Sequence, residues 1–278
     1  MKNFKFYIVA FSAMILTLAS CTDDLPERSA SYAPATDVMG VYFPNSNDFS
    51  AEVSPSEVSY TVKISRVNAV HAAVVKLFEV ADTSGMFTLP ASVSFAVGQT
   101  DTSIEVGFGD LVDFVPYTLT LGIEVSKTNP YDTLIAGTSQ FILTITQSDY
   151  VDFAEGTFES SFFEDSWEQV LQYSALLDQY RLTNLYSPGY NFSFSWSGVG
   201  SRVVIPEGES ISDAWTATPT GYIDADYGMI TSNISTNSEK TYYDAETQIF
   251  HFYTEFVDAE GSWGKMDETF EVSTFLTE

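Results

Sequence analysis

Tyr117-Thr-Leu119-Thr-Leu121-Gly-Ile123-Glu-Val125 alternates apolar and polar side chains over nine residues. Successive side chains of a strand point to opposite faces, so this period of two describes a strand with one face in a core and the other toward water. The pattern recurs on both sides of it. Upstream, Tyr60, Val62 and Ile64 alternate with Thr61 and Lys63; downstream, Phe141, Leu143 and Ile145 do the same. Turn-forming runs separate these segments: Asn45-Ser-Asn-Asp48, Asp82-Thr-Ser-Gly85 and Val97-Gly-Gln-Thr-Asp101. About seven short strands with such spacing predict an antiparallel β-sandwich over residues 37–149.

A polar stretch, Thr146-Gln-Ser-Asp-Tyr150, marks the expected boundary to a second β-rich region, residues 150–278, of different character. All four tryptophans (Trp167, Trp196, Trp215, Trp263) and ten of the sixteen tyrosines lie there. Tyr190-Asn-Phe192-Ser-Phe194-Ser-Trp196 puts four aromatics on one strand face, which is how a sandwich or barrel interior is filled. Trp167, Val170, Leu171, Tyr173, Leu176, Leu177 and Tyr180 fit a helical period, but Trp167, Gln169, Leu171 and Tyr173 also alternate. The β-rich surroundings and the turn expected at Asp178-Gln179 favour strand. The segments around Phe250 and Phe252, and around Phe270 and Val272, predict two antiparallel strands joined by a hairpin turn at Glu260–Lys265. The fold expected is all-β, an immunoglobulin-like sandwich followed by a second antiparallel sandwich or barrel-like domain.

Composition bounds the function classes. The 278 residues hold 11 Lys+Arg against 38 Asp+Glu, a formal charge of −27, which opposes binding to nucleic acid phosphates. A hydrophobic content of 45 % is ample for packed cores. One cysteine excludes a disulfide framework and a zinc–cysteine cluster.

That cysteine has a specific context. Lys2 and Lys5 precede a short apolar run, Phe6 to Ala19, that falls below the roughly 20 residues of a membrane span. The run ends in Leu18-Ala19-Ser20-Cys21, which resembles a bacterial lipobox; the resemblance implies a signal peptide over 1–20 and lipidation of Cys21. Losing Lys2 and Lys5 with the leader would take the formal charge from −27 to −29. Thr22-Asp23-Asp24 resembles the surface-export signal of Bacteroidota-type lipoproteins, implying the cell-surface side of the outer membrane, with the periplasmic side as the alternative. Residues 21–36 read as the lipidated cysteine and a flexible tether.

Two further resemblances concern the folded parts. Val62-x-Ile64-x-Arg66, Phe87 to Pro90, Val93-x-Phe95-x-x-Gly98, Ile104-x-Val106 and Leu119-x-Leu121 look like a Calx-β or related immunoglobulin-like sandwich. Calcium ligands of that family find no residue-by-residue match here. Gly156-Thr-Phe158, Tyr180-Arg-Leu182, Tyr190-x-Phe192-x-Phe194 and Phe250-x-Phe252-Tyr253 resemble C-terminal β domains of uncharacterised gut-bacterial surface lipoproteins. The whole is similar to accessory lipoproteins of polysaccharide-utilisation systems, which implies a carbohydrate context.

Motifs for catalysis are sparse. His71 and His251 are the two histidines, and neither adjoins a nucleophile motif; His251 is expected to face away from Phe250 and Phe252. Glu164, Asp165, Glu168, Asp224 and Asp226 are candidates for a glycosidase acid pair, but in a chain this acidic close pairs arise by chance. Asp224-Ala-Asp226-Tyr-Gly228 reads as an acidic β-turn rather than a calcium loop, because the further ligands such a loop needs are missing. No catalytic residue, metal or cofactor is assigned.

Aromatic loops carry the better signal, since sugar rings stack their C–H faces on Trp and Tyr while polar neighbours bond the hydroxyls. Trp263 between Gly261 and Gly264, Trp215 in Ser-Asp-Ala-Trp-Thr, and Tyr222 and Tyr227 flanking the Asp224 turn are the candidate ligand-binding residues. The expectation is a non-catalytic outer-membrane lipoprotein whose partners are the membrane, through Cys21, and a glycan. The alternative is a structural or adhesive role with an outer-membrane protein partner.

Overall fold

A computed structural model of the chain describes residues 39–124, 137–198, 200 and 203–276. The leader, Cys21, the tether to residue 36 and Val125 lie outside the described residues. The protein is all-β, with no helix among the described residues.

Residues up to 147 form two facing sheets. One runs β5 (Phe87–Thr88), β7 (Asp101–Phe108), β3 (Ser59–Arg66), β1 (Val41–Pro44), β9 (Gly137–Thr138). The other runs β2 (Ser50–Val53), β10 (Gln140–Gln147), β8 (Pro116–Ile123), β4 (Ala73–Asp82), β6 (Ser92–Phe95), with β2 parallel to β10 and the remaining pairs antiparallel. The alternating residues meet as expected: Val62, Ile64 and Val106 face Leu119, Leu121, Phe141, Leu143 and Ile145 in one core. Arg66 closes one end of this immunoglobulin-like sandwich. Only 3 % exposed, it lies 4.8 Å over the Phe95 ring and donates to the carbonyls of Gln99, His71 and Ala96 at 2.7–2.8 Å, so its buried charge is met by backbone dipoles.

Residues 151–275 form one large antiparallel sheet. Its order is β15 (Val204–Pro206), β14 (Phe192–Trp196), β13 (Gln179–Leu182), β12 (Asp165–Ser174), β11 (Val151–Ser160), β21 (Ser262–Phe275), β20 (Ile249–Val257), β18 (Gly228–Ser235), β17 (Trp215–Asp224), β16 (Glu209–Ser212), and β19 (Tyr242–Asp244) also pairs with β20. The two ends of this path, β15 and β16, are consecutive in the chain, joined by Glu207 and Gly208. There the Glu207 N–H donates to Ser193 O at 3.0 Å and the Thr218 hydroxyl donates to Glu207 O at 3.1 Å. The sheet thus curls back on itself, barrel-like, around Phe158, Leu171, Phe194, Phe250, Phe252 and Phe270, all fully buried. The ambiguous 167–180 segment is strand: β12 and β13 flank a turn in which Asp178 takes a positive φ of 49°.

Two expectations need correction. Tyr190 does not share the core face of Phe192, Phe194 and Trp196, because β14 begins at Phe192 and Tyr190 lies in the preceding loop, exposed. The last hairpin turns at residues 258–261, not across 260–265, so Trp263 sits within β21 rather than at the tip.

Candidate functional site

At one end of the barrel three chain segments bring aromatic side chains together. The first is the β11–β12 turn. Its Phe162 N–H donates to Glu268 Oε1 at 3.1 Å, its Phe163 N–H to Ser160 Oγ at 3.1 Å, and its Ser161 hydroxyl to Asp267 O at 2.8 Å. Thus pinned to β21, the turn directs its two phenylalanines differently. Phe162 stacks on Phe256 with centroids 4.1 Å apart, whereas Phe163 meets Tyr186 at 5.7 Å and Tyr222 at 5.3 Å.

The second segment is the loop between β13 and β14. Asn184, at φ 51°, accepts the Gly189 N–H at 2.6 Å through Oδ1, and the Leu185 N–H donates to Tyr190 O at 3.1 Å. This fixes Tyr186, whose ring reaches Phe158 at 5.8 Å and whose hydroxyl donates to Glu268 Oε2 at 3.4 Å. Glu268 is fully buried. Desolvation pushes its carboxyl above the usual carboxylate range, against the opposing effect of the Ser160, Phe162 and Tyr186 donors. Burial, reinforced by Glu268, pushes the Tyr186 phenol well above its ordinary value.

The third segment is an irregularity in β17, where the register with β18 shifts between Pro219 and Ile223. Thr220 is fully buried, donating to Ile230 O at 2.6 Å and accepting the Tyr222 N–H at 3.1 Å. Gly221 takes φ +73°, and a Cβ there would lie 2.1 Å from the Tyr190 ring. Only glycine suits both demands. The distortion turns Tyr222 toward Phe163.

Between these segments lies a cleft of about 590 Å³, lined by Phe163, Asp165, Trp167, Glu168, Gln169, Asn184, Leu185, Tyr186 and Tyr222. Its size falls within the range of small-molecule sites, and its make-up of apolar walls with a few polar groups is typical of them. Gln169 is anchored through Nε2 to Thr183 O at 2.9 Å.

Of the residues anticipated from sequence, Tyr222 lines this cleft. Trp263 and Tyr227 stand beside it: their rings meet edge-on at 5.4 Å, and Trp263 reaches Phe162 at 6.2 Å. Trp263 owes its place to a bulge. Val257 pairs with Ser262 and Phe256 with Gly264, leaving Trp263 as the extra residue, with Gly264 at φ +118°. Its indole N–H donates to Asp258 Oδ2. Against the desolvation that opposes it, this donor and the N–H groups of Glu260 and Gly261 hold the Asp258 carboxyl below the usual range.

Trp215 is elsewhere. It packs 6.1 Å from Tyr253 under Lys265, whose ammonium lies 4.9 Å from the indole centroid. Asp224 caps its own turn, accepting the N–H groups of Asp226 and Tyr227 at 2.8 and 3.1 Å. Among the described residues, no group of three or more His, Cys, Asp or Glu is arranged to hold a metal ion. His251 pairs with Asp267 at 2.9 Å and stacks on Tyr242, pointing away from Phe250 and Phe252 as its strand position requires.

Sequence reasoning did not anticipate Phe163, Trp167 and Tyr186 as lining residues. Adjacent phenylalanines beside a turn, Phe162-Phe163-Glu164-Asp165, were the available signal: neighbouring side chains cannot both enter one core.

No family model matches the chain, and no curated protein matches it. Similar solved structures include a protein of unknown function from Bacteroides ovatus, 11 % identical with a TM-score of 0.31, over 84 % of this chain and 89 % of that one. Another is an auxiliary nutrient binding protein from Bacteroides thetaiotaomicron, 9 % identical with a TM-score of 0.33, over 81 % and 90 %. A third is the calcium binding domain CBD12 of CALX1.1, 15 % identical with a TM-score of 0.30, over 79 % and 80 %.

Proposed function

We propose that the chain is a non-catalytic, lipid-anchored envelope protein that binds carbohydrate in the barrel-end cleft. The observation that carries this reading is the lining itself. Phe163, Trp167, Tyr186 and Tyr222 supply rings for the C–H faces of a sugar, while Gln169, Asn184, Asp165 and Glu168 supply acceptors and donors for its hydroxyls. Anchoring rests on the lipobox-like sequence ending at Cys21 and would place the cleft outside the membrane that holds the lipid.

A glycan array probed with protein beginning at Thr22 tests the binding. Selective binding that is lost in Trp167→Ala or Tyr222→Ala, and kept in Trp215→Ala, supports it. Absence of binding to any glycan by the folded protein overturns it. Incorporation of labelled palmitate by the full chain, lost in Cys21→Ser, tests the anchor.

One observation favours a second reading. Asp165 and Glu168, both candidates for a glycosidase acid pair, line the same cleft. Bound glycans are therefore also assayed for cleavage. Hydrolysis abolished by Asp165→Asn or Glu168→Gln would replace binding with catalysis.

A further inference from the structure

We infer that the cleft selects its saccharide by charge, preferring one that carries a protonated amine to its neutral N-acylated counterpart and rejecting uronate and sulfated saccharides. This rests on the carbohydrate reading above and names the ligand class within it.

Three features of different origin converge. The first is the wall. Aromatic rings present a negative face that attracts an ammonium group, and Phe163, Trp167, Tyr186 and Tyr222 place four such rings around one cavity. The second is the complement of charged side chains. Asp165 and Glu168 are the charged residues of the lining, and none of the described cations Lys63, Arg66, Lys76, Arg181, Lys240 and Lys265 is part of it. A carboxylate or sulfate ester entering the cleft would meet no counter-charge there and two like charges. The third is the surrounding field. The turn that carries Phe163 also carries Glu164, and the turn that follows Tyr222 carries Asp224 and Asp226, in a chain of net charge −27. These acids are close in sequence to the lining residues Phe163, Asp165 and Tyr222, and a negative field of this kind repels anions and concentrates cations, with a range set by the Debye length of about 8 Å at physiological salt.

The aromatic wall separates this reading from simple attraction of cations to an acidic surface. Surface attraction would be indifferent to Tyr222 and would vanish with salt. A cation held against rings keeps part of its affinity when salt screens the field, because cation–π contact is short-range.

The test is calorimetric titration of the protein beginning at Thr22 with oligomers of glucosamine, N-acetylglucosamine and galacturonate, matched in length, at low and high salt. The glucosamine oligomer is expected to bind about tenfold tighter than the N-acetylated one at low salt. The galacturonate oligomer is expected not to bind. Asp165→Asn with Glu168→Gln should bring the affinities of the first two together, and Tyr222→Ala should weaken both. Equal or tighter binding of the N-acetylated or the uronate oligomer overturns the inference. So does a glucosamine preference that survives the two carboxylate replacements, or glucosamine binding that Tyr222→Ala leaves at full strength. Failure of all three oligomers overturns it as well. In every one of these cases the carbohydrate reading stands if neutral glycans still bind the array through Trp167 and Tyr222, and falls if none does.

Discussion

Glu268 supports the cleft from behind: one buried carboxyl accepts the Phe162 N–H and the Tyr186 hydroxyl, tying the β11–β12 turn to the loop that carries Tyr186. Its folded-state affinity for a proton is raised by desolvation. A carboxyl raised in this way contributes stability that is full below its unfolded value and is lost as pH rises through the raised one. At neutral pH the buried charge is therefore a cost. Glu268→Gln keeps an acceptor for Phe162 and removes that charge, so it is expected to raise stability at neutral pH by on the order of 1 kcal/mol. The difference should shrink as pH falls into the carboxylate range. Denaturant titration across pH checks this; a variant no more stable than the native chain at neutral pH contradicts it. At the cleft wall, Trp167→Ala and Tyr222→Ala should each weaken glycan binding about tenfold, the scale of one lost stacking contact. Trp215→Ala, on a different face under Lys265, should not change it.

Elements explain which parts of this arrangement could be read from sequence. Period-two alternation located the strands because a strand buries one face, and it placed Leu119, Leu121, Phe192, Phe194 and Phe252 in cores where the structure has them. It failed where the strand itself departs from regular geometry. The register break between Pro219 and Ile223 and the bulge at Trp263 re-aim Tyr222 and Trp263, and neither leaves a mark in apolar periodicity. Trp215 and Tyr222 both belong to β17, yet they end in different surroundings: seven residues apart they alternate to opposite faces, and Tyr222 lies within the irregular stretch. The glycines are the trace that remains. Gly221→Ala should be destabilising by about 1–3 kcal/mol, since it combines a left-handed φ with a methyl group driven into Tyr190. It should also weaken glycan binding by displacing Tyr222. Thermal melting and binding measured on the same variant check both; an unperturbed variant would show that the local backbone is not what aims Tyr222.

For the whole molecule, the sandwich and the barrel each have their own core, and a charged contact joins them. The Arg181 guanidinium makes a two-pronged contact with Glu52, at 2.6 and 3.0 Å, donates through Nε to Gln172 Oε1 at 2.9 Å, and lies 3.7 Å over the Tyr150 ring. A planar fork that also stacks is poorly replaced by lysine. Arg181→Ala and Arg181→Lys are both expected to uncouple the two cores, so that a single calorimetric transition separates into two; one unchanged transition would show that other contacts couple them. The all-β class was legible, since period-two alternation runs through the chain, and the aromatic bias beyond residue 150 is compositional. Which aromatics face one another was not, because the three segments of the cleft are distant in sequence and meet only when the sheet curls. The central claim is that they meet to hold a sugar. Calorimetric titration of a glycan selected on the array, with the native chain and with Trp167→Ala side by side, tests it most directly. Saturable one-site binding that weakens about tenfold in the variant is the result expected, and equal affinity in the two proteins would contradict it.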